Sequence, residues 1–221
     1  MSRATLGVTA KYTMITAVVK RCREVRSRLK VHKIFYILKS LGYPVVERFE
    51  YRQYGPYSDD LATDLQSTVN ADHVRERMVE SAEDEDEERY RRYDYSLGQG
   101  GGSYVEREFS LDPMLEAVTG GMANVAEELN RCTPLQLELI ATLMFLQDEN
   151  VRPNHIVAVL KSSKPQYTDA GVHGALEFIR DLRGRASFAT PPDFPSIFGL
   201  VSEGPPSDAA GGLDEEIYGG T

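Results

Sequence analysis

Apolar positions in the first third of the chain recur at helical spacing twice. A first helix is expected over Tyr12 to Cys22. The second is marked more sharply: Ser27 is a good N-cap, and Val31, Ile34, Phe35, Leu38 and Leu41 repeat every three or four residues until Gly42 ends the run. That stripe defines one buried face and leaves Lys30, Lys33 and Lys39 expected at solvent. Beyond Tyr43-Pro44, the stretch Val45 to Tyr54 favours extended backbone and closes in a turn at Tyr54-Gly55-Pro56-Tyr57. Ser58 caps a third helix through Thr68, with Leu61 and Leu65 inward. Asp59 and Asp60 lie in its first turn, where carboxylates complement the helix dipole.

Three strands are expected next: Val74 to Ser81, Arg89 to Leu97 and Tyr104 to Leu111. Tyr93, Tyr95, Leu97, Val105, Phe109 and Leu111 are their candidate core positions. The acidic run 83–88 joins the first pair and the glycine-rich loop 98–103 the second. Helix, helix, strand, helix and hairpin is the order of a winged helix. The remainder reads as helical. Met114 to Asn130 is one helix, weakened by Gly120-Gly121. Thr133-Pro134-Leu135-Gln136 is a strong start signal for the next, which is apolar on nearly all sides and therefore central. A short helix spans Asn154 to Leu160. Thr168 caps a last helix with a stripe of Val172, Ala175, Leu176, Ile179 and Leu182. The expected fold class is α+β: a winged-helix-like module at 1–112, a helical extension packed on it at 113–185, and a disordered acidic tail at 186–221.

Composition supports a globular chain, with 41% apolar and 27% charged residues. No apolar run reaches the roughly 18–20 residues that span a bilayer. Lys11, Lys20 and Arg21 interrupt any secretory h-region, so a cytoplasmic protein without a membrane role is expected. Cys22 and Cys132 then read as reduced, buried thiols. The net charge of −9 conceals an asymmetry. Residues 1–54 carry 12 Lys/Arg against 3 acids, while the remainder carries 13 against 31. Either the N-terminal part faces an anion, or the two parts pair within the fold.

Candidate chemistry is sparse. His32, His73, His155 and His173 form no metal-ligand spacing, and no Ser or Cys sits in a nucleophile elbow. The glycines 98–102 precede a strand pattern, whereas a phosphate loop must open a helix. They read as a flexible hairpin loop. The acidic run lacks the spacing and glycine of a calcium loop. The expectation is a non-enzymatic protein without catalytic residues, cofactor or metal.

In a winged helix, the helix before the wing enters the major groove. Here it is Ser58 to Thr68, with three Asp and no Lys or Arg, and the wing carries six consecutive acids. Such a surface repels phosphates. The basic turn differs: Lys20, Arg21, Arg23, Arg26, Arg28, Lys30 and Lys33 cluster around the start of the second helix. That patch suits nucleic acid, or an acidic protein segment, including this chain's own tail or wing.

Lys30-Val31-His32-Lys33-Ile34-Phe35-Tyr36-Ile37-Leu38, followed by Gly42, by Tyr54-Gly55-Pro56-Tyr57-Ser58 and by Leu61 and Asp64-Leu65, resembles the signature of the uncharacterised YwgA-type prokaryotic proteins. More distantly it is similar to the Panacea (SocA-like) antitoxin domain. The resemblance covers roughly residues 10 to 97, and the segment 160–183 extends it. It makes Lys30, Lys33, Tyr36, Tyr54, Gly55, Pro56, Tyr57 and Ser58 the family-motif positions. It implies no chemistry for the YwgA-type group, and toxin binding for Panacea domains. Physically the Gly-Pro turn is structural first, and Tyr54 and Tyr57 read as core. The expected function is a regulatory or interaction protein that binds a partner protein, antitoxin-like or as a defence-complex subunit. The alternative is a transcription regulator touching DNA or RNA through the basic 20–33 turn.

Overall fold

In a computed structural model of the chain, residues 7–80 and 91–189 are described. The acidic run 83–88 and the chain beyond 189 lie outside them. Helix α1 (Val8–Cys22) starts a turn earlier than expected and ends where Arg23 takes a left-handed backbone, φ 64°. That turn throws the chain into β1 (Glu24–Arg26), a strand the sequence had not announced. Helix α2 (Arg28–Ser40) follows, its N-cap Ser27 accepting from the Lys30 N–H. The next segment is extended only at β2 (Glu50–Arg52) and β3 (Gly55–Tyr57), which pair antiparallel with Tyr51 opposite Pro56. Gly55-Pro56-Tyr57 is therefore a strand, and the reversal falls at Gln53-Tyr54. Helix α3 (Asp59–Asn70) is capped by Ser58 as expected, and β4 (Val74–Glu80) and β5 (Arg91–Leu97) form a hairpin. The sheet order is β1-β5-β4, with Val25 opposite the fully buried Tyr95.

One expected strand is a helix. Gly101–Leu111 forms α4, because Val105 and Phe109 are four apart and satisfy helical as well as alternating spacing. Val105 is buried and Phe109 packs on the core, but Leu111 is 73% exposed. The glycines before it are a tight junction and not a loose loop. A Cβ at Gly98 would stand 2.2 Å from the Asp72 carbonyl oxygen, and one at Gly101 2.2 Å from that of His73. A helix, not the expected strand, follows these glycines, and at Gly98 and Gly101 the backbone of Asp72 and His73 occupies the space a side chain would take.

Helices α5 (Pro113–Asn130) and α6 (Pro134–Asp148) follow the expected boundaries, and the Thr133–Gln136 capping box closes in both directions. Helix α7 (Pro153–Ser163) leads to α8 (Asp169–Ala189), which runs past the expected start of the tail at 186. Its Val172, Ala175, Ile179 and Leu182 are buried. Helix α5 packs along α1, and α6 along α2 and α8. One contiguous core results, running from Ile15 and Ile37 through Leu143 to Leu182. The architecture is α+β. Among the described residues no helix is long and apolar enough to cross a membrane, and both cysteines are free and half-buried.

Candidate functional site

The motif residues converge on the β2–β3 hairpin. Lys33 is 3% exposed, and its Nζ donates to the Pro56 carbonyl at 2.7 Å. Lys164, at the end of α7, donates to the Gln53 carbonyl at 3.0 Å and pairs closely with Glu138 of α6. Two ammonium groups thus hold the carbonyls on either side of the reversal. Gly55 sits between, at φ 84°, and a Cβ there would stand 3.1 Å from Thr142 Oγ1 and 3.5 Å from Lys33 Nζ. Only glycine suits both the backbone and the space. The His32 ring stacks on Tyr57 at 3.9 Å, and its Nδ1 accepts the Ser58 N–H at 3.2 Å. Tyr36 donates to Asp148 at 2.8 Å, and Tyr54 is half-buried.

Burial sets the electrostatics of this clamp. It pushes the Lys33 amine down to about 7, against the pull of Glu138 and with a further push from Lys164. It takes His32 down to about 3, so the imidazole is neutral. A depressed lysine is a common nucleophile or base, but here its nitrogen is committed to a carbonyl. Lys33 lines neither cleft described below. The motif builds the fold.

The basic turn divides. Lys33 is buried in the clamp, and Lys30 donates to the carbonyls of Asn130 and Cys132. Lys39, outside the patch, donates to the Glu47 carbonyl. Lys33 is buried and Lys30 and Lys39 are half-buried, where all three were expected at solvent, because α2 packs against α5, α6, β1, β3 and β5. Arg28 donates to the Tyr95 hydroxyl at 3.0 Å and to Glu76 at 3.1 Å, with its guanidinium over the Tyr93 ring. The other four stay outside. Lys20 meets Glu106 at 3.2 Å, Arg21 meets Glu127 at 2.7 Å, and Arg26 meets Glu24 at 2.9 Å. Arg23 is exposed and makes no ion pair among the described residues.

Lys20, Arg21 and Arg23 form the rim of a cleft of about 400 Å³ between α1, α4 and α5. Its floor is Ala17, Val105, Phe109 and Ala123. Thr119, fully buried, lines it with a hydroxyl that has no hydrogen-bond partner. A smaller cleft of about 210 Å³ lies by α3 and is lined by Lys11, Glu47, Asp60 and Asp64. Lys11 pairs closely with Asp64 and lies 4.0 Å from Glu47, whose carboxyl burial pushes above its ordinary range. The α3 acids are partnered too: Arg52 reaches Asp59, and Arg48 lies 3.5 Å from Asp60. Among the described residues no group of His, Cys, Asp and Glu could hold a metal ion.

Comparison with known proteins supports the relationship the motif suggested. The uncharacterized protein YwgA of Bacillus subtilis (strain 168) is 28% identical over 163 residues, which cover 72% of this chain and 89% of that protein. The chain is thus similar to YwgA over most of its length. No family model matches it. YwgA carries no assigned activity in its name, so the relationship brings no chemistry.

In this relative of YwgA, the sequence located the motif positions of the clamp but not their work. Partners such as Glu138, Thr142 and Lys164 lie over a hundred residues away and carried no local signal. The cleft was missed because α4 was read as a strand. A helical reading of Val105 and Phe109 would have placed both on one face.

Proposed function

We propose that this is a non-catalytic regulatory or interaction protein of the cytoplasm, whose exposed basic rim engages an acidic segment of a partner protein. The observation that carries this reading is the cationic rim above an apolar cleft. Lys20, Arg21, Arg23 and Arg26 all lie at the surface around one helix end. Exposed ion pairs of the Lys20–Glu106 kind are worth about 0–1 kcal/mol. An incoming carboxylate therefore displaces their internal partners at little cost.

The element order also favours a winged-helix reading. Helix α1, β1, α2, α3 and the β4–β5 hairpin follow in sequence, with β1 added beside β5 and the β2–β3 hairpin inserted before α3. Groove reading by α3 is disfavoured, since it offers no Lys or Arg to base edges. Its exposed acids are balanced by Arg48 and Arg52, so this face is closer to neutral than the sequence implied. Neutralisation of a toxin, as the likeness to Panacea domains suggests, or a place in a defence complex, are the forms such binding would take.

The test is affinity capture with the tagged full chain from its native host, followed by reconstitution of the complex from purified components. Charge reversal at Arg21, Arg23 and Arg26 abolishes the reconstituted complex, while reversal of the exposed Arg75 on β4 leaves it intact. Salt-dependent binding of labelled DNA or RNA, lost in the same variant and without a protein partner, would replace this reading with nucleic-acid contact.

A further inference from the structure

We infer that the cleft between α1, α4 and α5 is a socket for a bulky apolar side chain carried on an acidic peptide segment, an inference that rests on the partner-binding reading above. Four observations converge on it. The floor of Ala17, Val105, Phe109 and Ala123 is apolar, so it favours a hydrocarbon or aromatic occupant over an ion. The rim above it is cationic at Lys20, Arg21 and Arg23, with Arg23 exposed and without an ion pair among the described residues. The volume of about 400 Å³ lies at the low end of the roughly 300–1,000 Å³ typical of ligand pockets, suited to an anchoring side chain and its flanks. Thr119 lines the cleft too, and among the described residues its buried hydroxyl has no hydrogen-bond partner, so a polar group on an occupant that presses into the floor can satisfy it.

A peptide fits better than a small anion. The rim side chains are solvent-facing, Lys20 at 39% and Arg21 at 54% exposure. A single charge there would be screened and weakly held. Affinity has to come from an apolar anchor plus several carboxylates on one chain. Glu106 and Glu127, which also line the cleft, set the specificity. They occupy Lys20 and Arg21 in the free protein, and they repel any segment whose carboxylates fail to reach those cations.

Gly120 supplies a clean test. It lines the cleft within α5, and a Cβ added there would meet nothing within 4 Å. Gly120→Leu therefore fills the socket without an internal clash and improves helix propensity. Short fluorescent peptides with a phenylalanine flanked by glutamates are titrated against the full chain, followed by anisotropy. Versions with serine for the phenylalanine, or lysines for the glutamates, run beside them.

The acidic phenylalanine peptide is expected to bind. Serine in place of the anchor, Gly120→Leu, and Arg21→Glu with Arg23→Glu should each weaken it about tenfold or more, equivalent to about 1.4 kcal/mol. Thr119→Val, which keeps shape and removes the hydroxyl, should weaken it a few-fold. Equal binding of the serine version, indifference to Gly120→Leu, preference for the lysine version, or no binding of any peptide would each overturn the socket. If the reconstituted host complex survives Gly120→Leu yet fails on rim reversal, the partner-binding reading stands and the socket alone is lost.

Discussion

Two groups of cations from the same stretch of sequence meet opposite fates. Lys30 and Lys33, with Lys164 from far along the chain, are folded inward onto backbone carbonyls. Lys20, Arg21, Arg23 and Arg26 stay outside, and among the described residues three of them form exposed ion pairs while Arg23 forms none. The difference teaches that a basic run is not yet a basic surface. What decides is whether the helix carrying it keeps a wet side. Helix α2 is enclosed and α1 ends at the surface.

The two glycines that border these regions give the widest expected contrast. Gly55→Val forces a β-branched residue into a left-handed backbone against Thr142, and should cost about 2–4 kcal/mol. Gly120→Leu in the cleft should be neutral or slightly stabilising. Urea denaturation of the two variants measures both, and equal losses would erase the distinction.

Next in size is a pH effect confined to the clamp. Folding lowers the Lys33 amine from 10.5 to about 7, so between those values the unfolded chain holds a proton that the folded chain has released. Stability should therefore rise with pH across that window, by about 1 kcal/mol per pH unit from this group. Lys33→Met should flatten that slope relative to the unsubstituted chain in denaturation series at pH 7.5, 8.5 and 9.5. A parallel slope in both would mean that Lys33 is not the source.

Within the basic patch itself, Arg28→Ala should cost about 1–3 kcal/mol, because it takes the cation from a partly buried Glu76 and Tyr95, which keep only the hydrogen bond the Tyr95 hydroxyl donates to Glu76. Arg21→Ala should cost under about 0.5 kcal/mol, its pair with Glu127 being exposed. Thermal midpoints of the two single variants make that comparison. Smallest is Arg23→Gly, expected to gain up to about 1 kcal/mol by relieving the left-handed backbone while deleting the unpaired rim cation. A loss of stability there would point to a structural role for Arg23 that its exposure does not suggest.

Local signals fixed most of the elements. Caps at Ser27, Ser58, Thr133 and Thr168 were legible because a cap is decided within four residues of its own position. The stripes of α2, α6 and α8 were legible for the same reason. Helix α4 was not, since Val105 and Phe109 fit both periods and the glycines ahead of them looked like loop. Strand β1 was hidden because three residues carry no period, and only pairing with β5 makes them a strand.

The sequence by itself determined an α+β chain, the starts of its capped helices α2, α3, α6 and α8, and the motif residues that resemble the YwgA type. It could not say which of its cations would be enclosed. That depended on α5, α6 and the hairpin arriving around α2 from distant parts of the chain. Burial, and with it the depressed titrations of His32 and Lys33 and the cleft between α1, α4 and α5, is a property of packed surfaces, which no single segment carries.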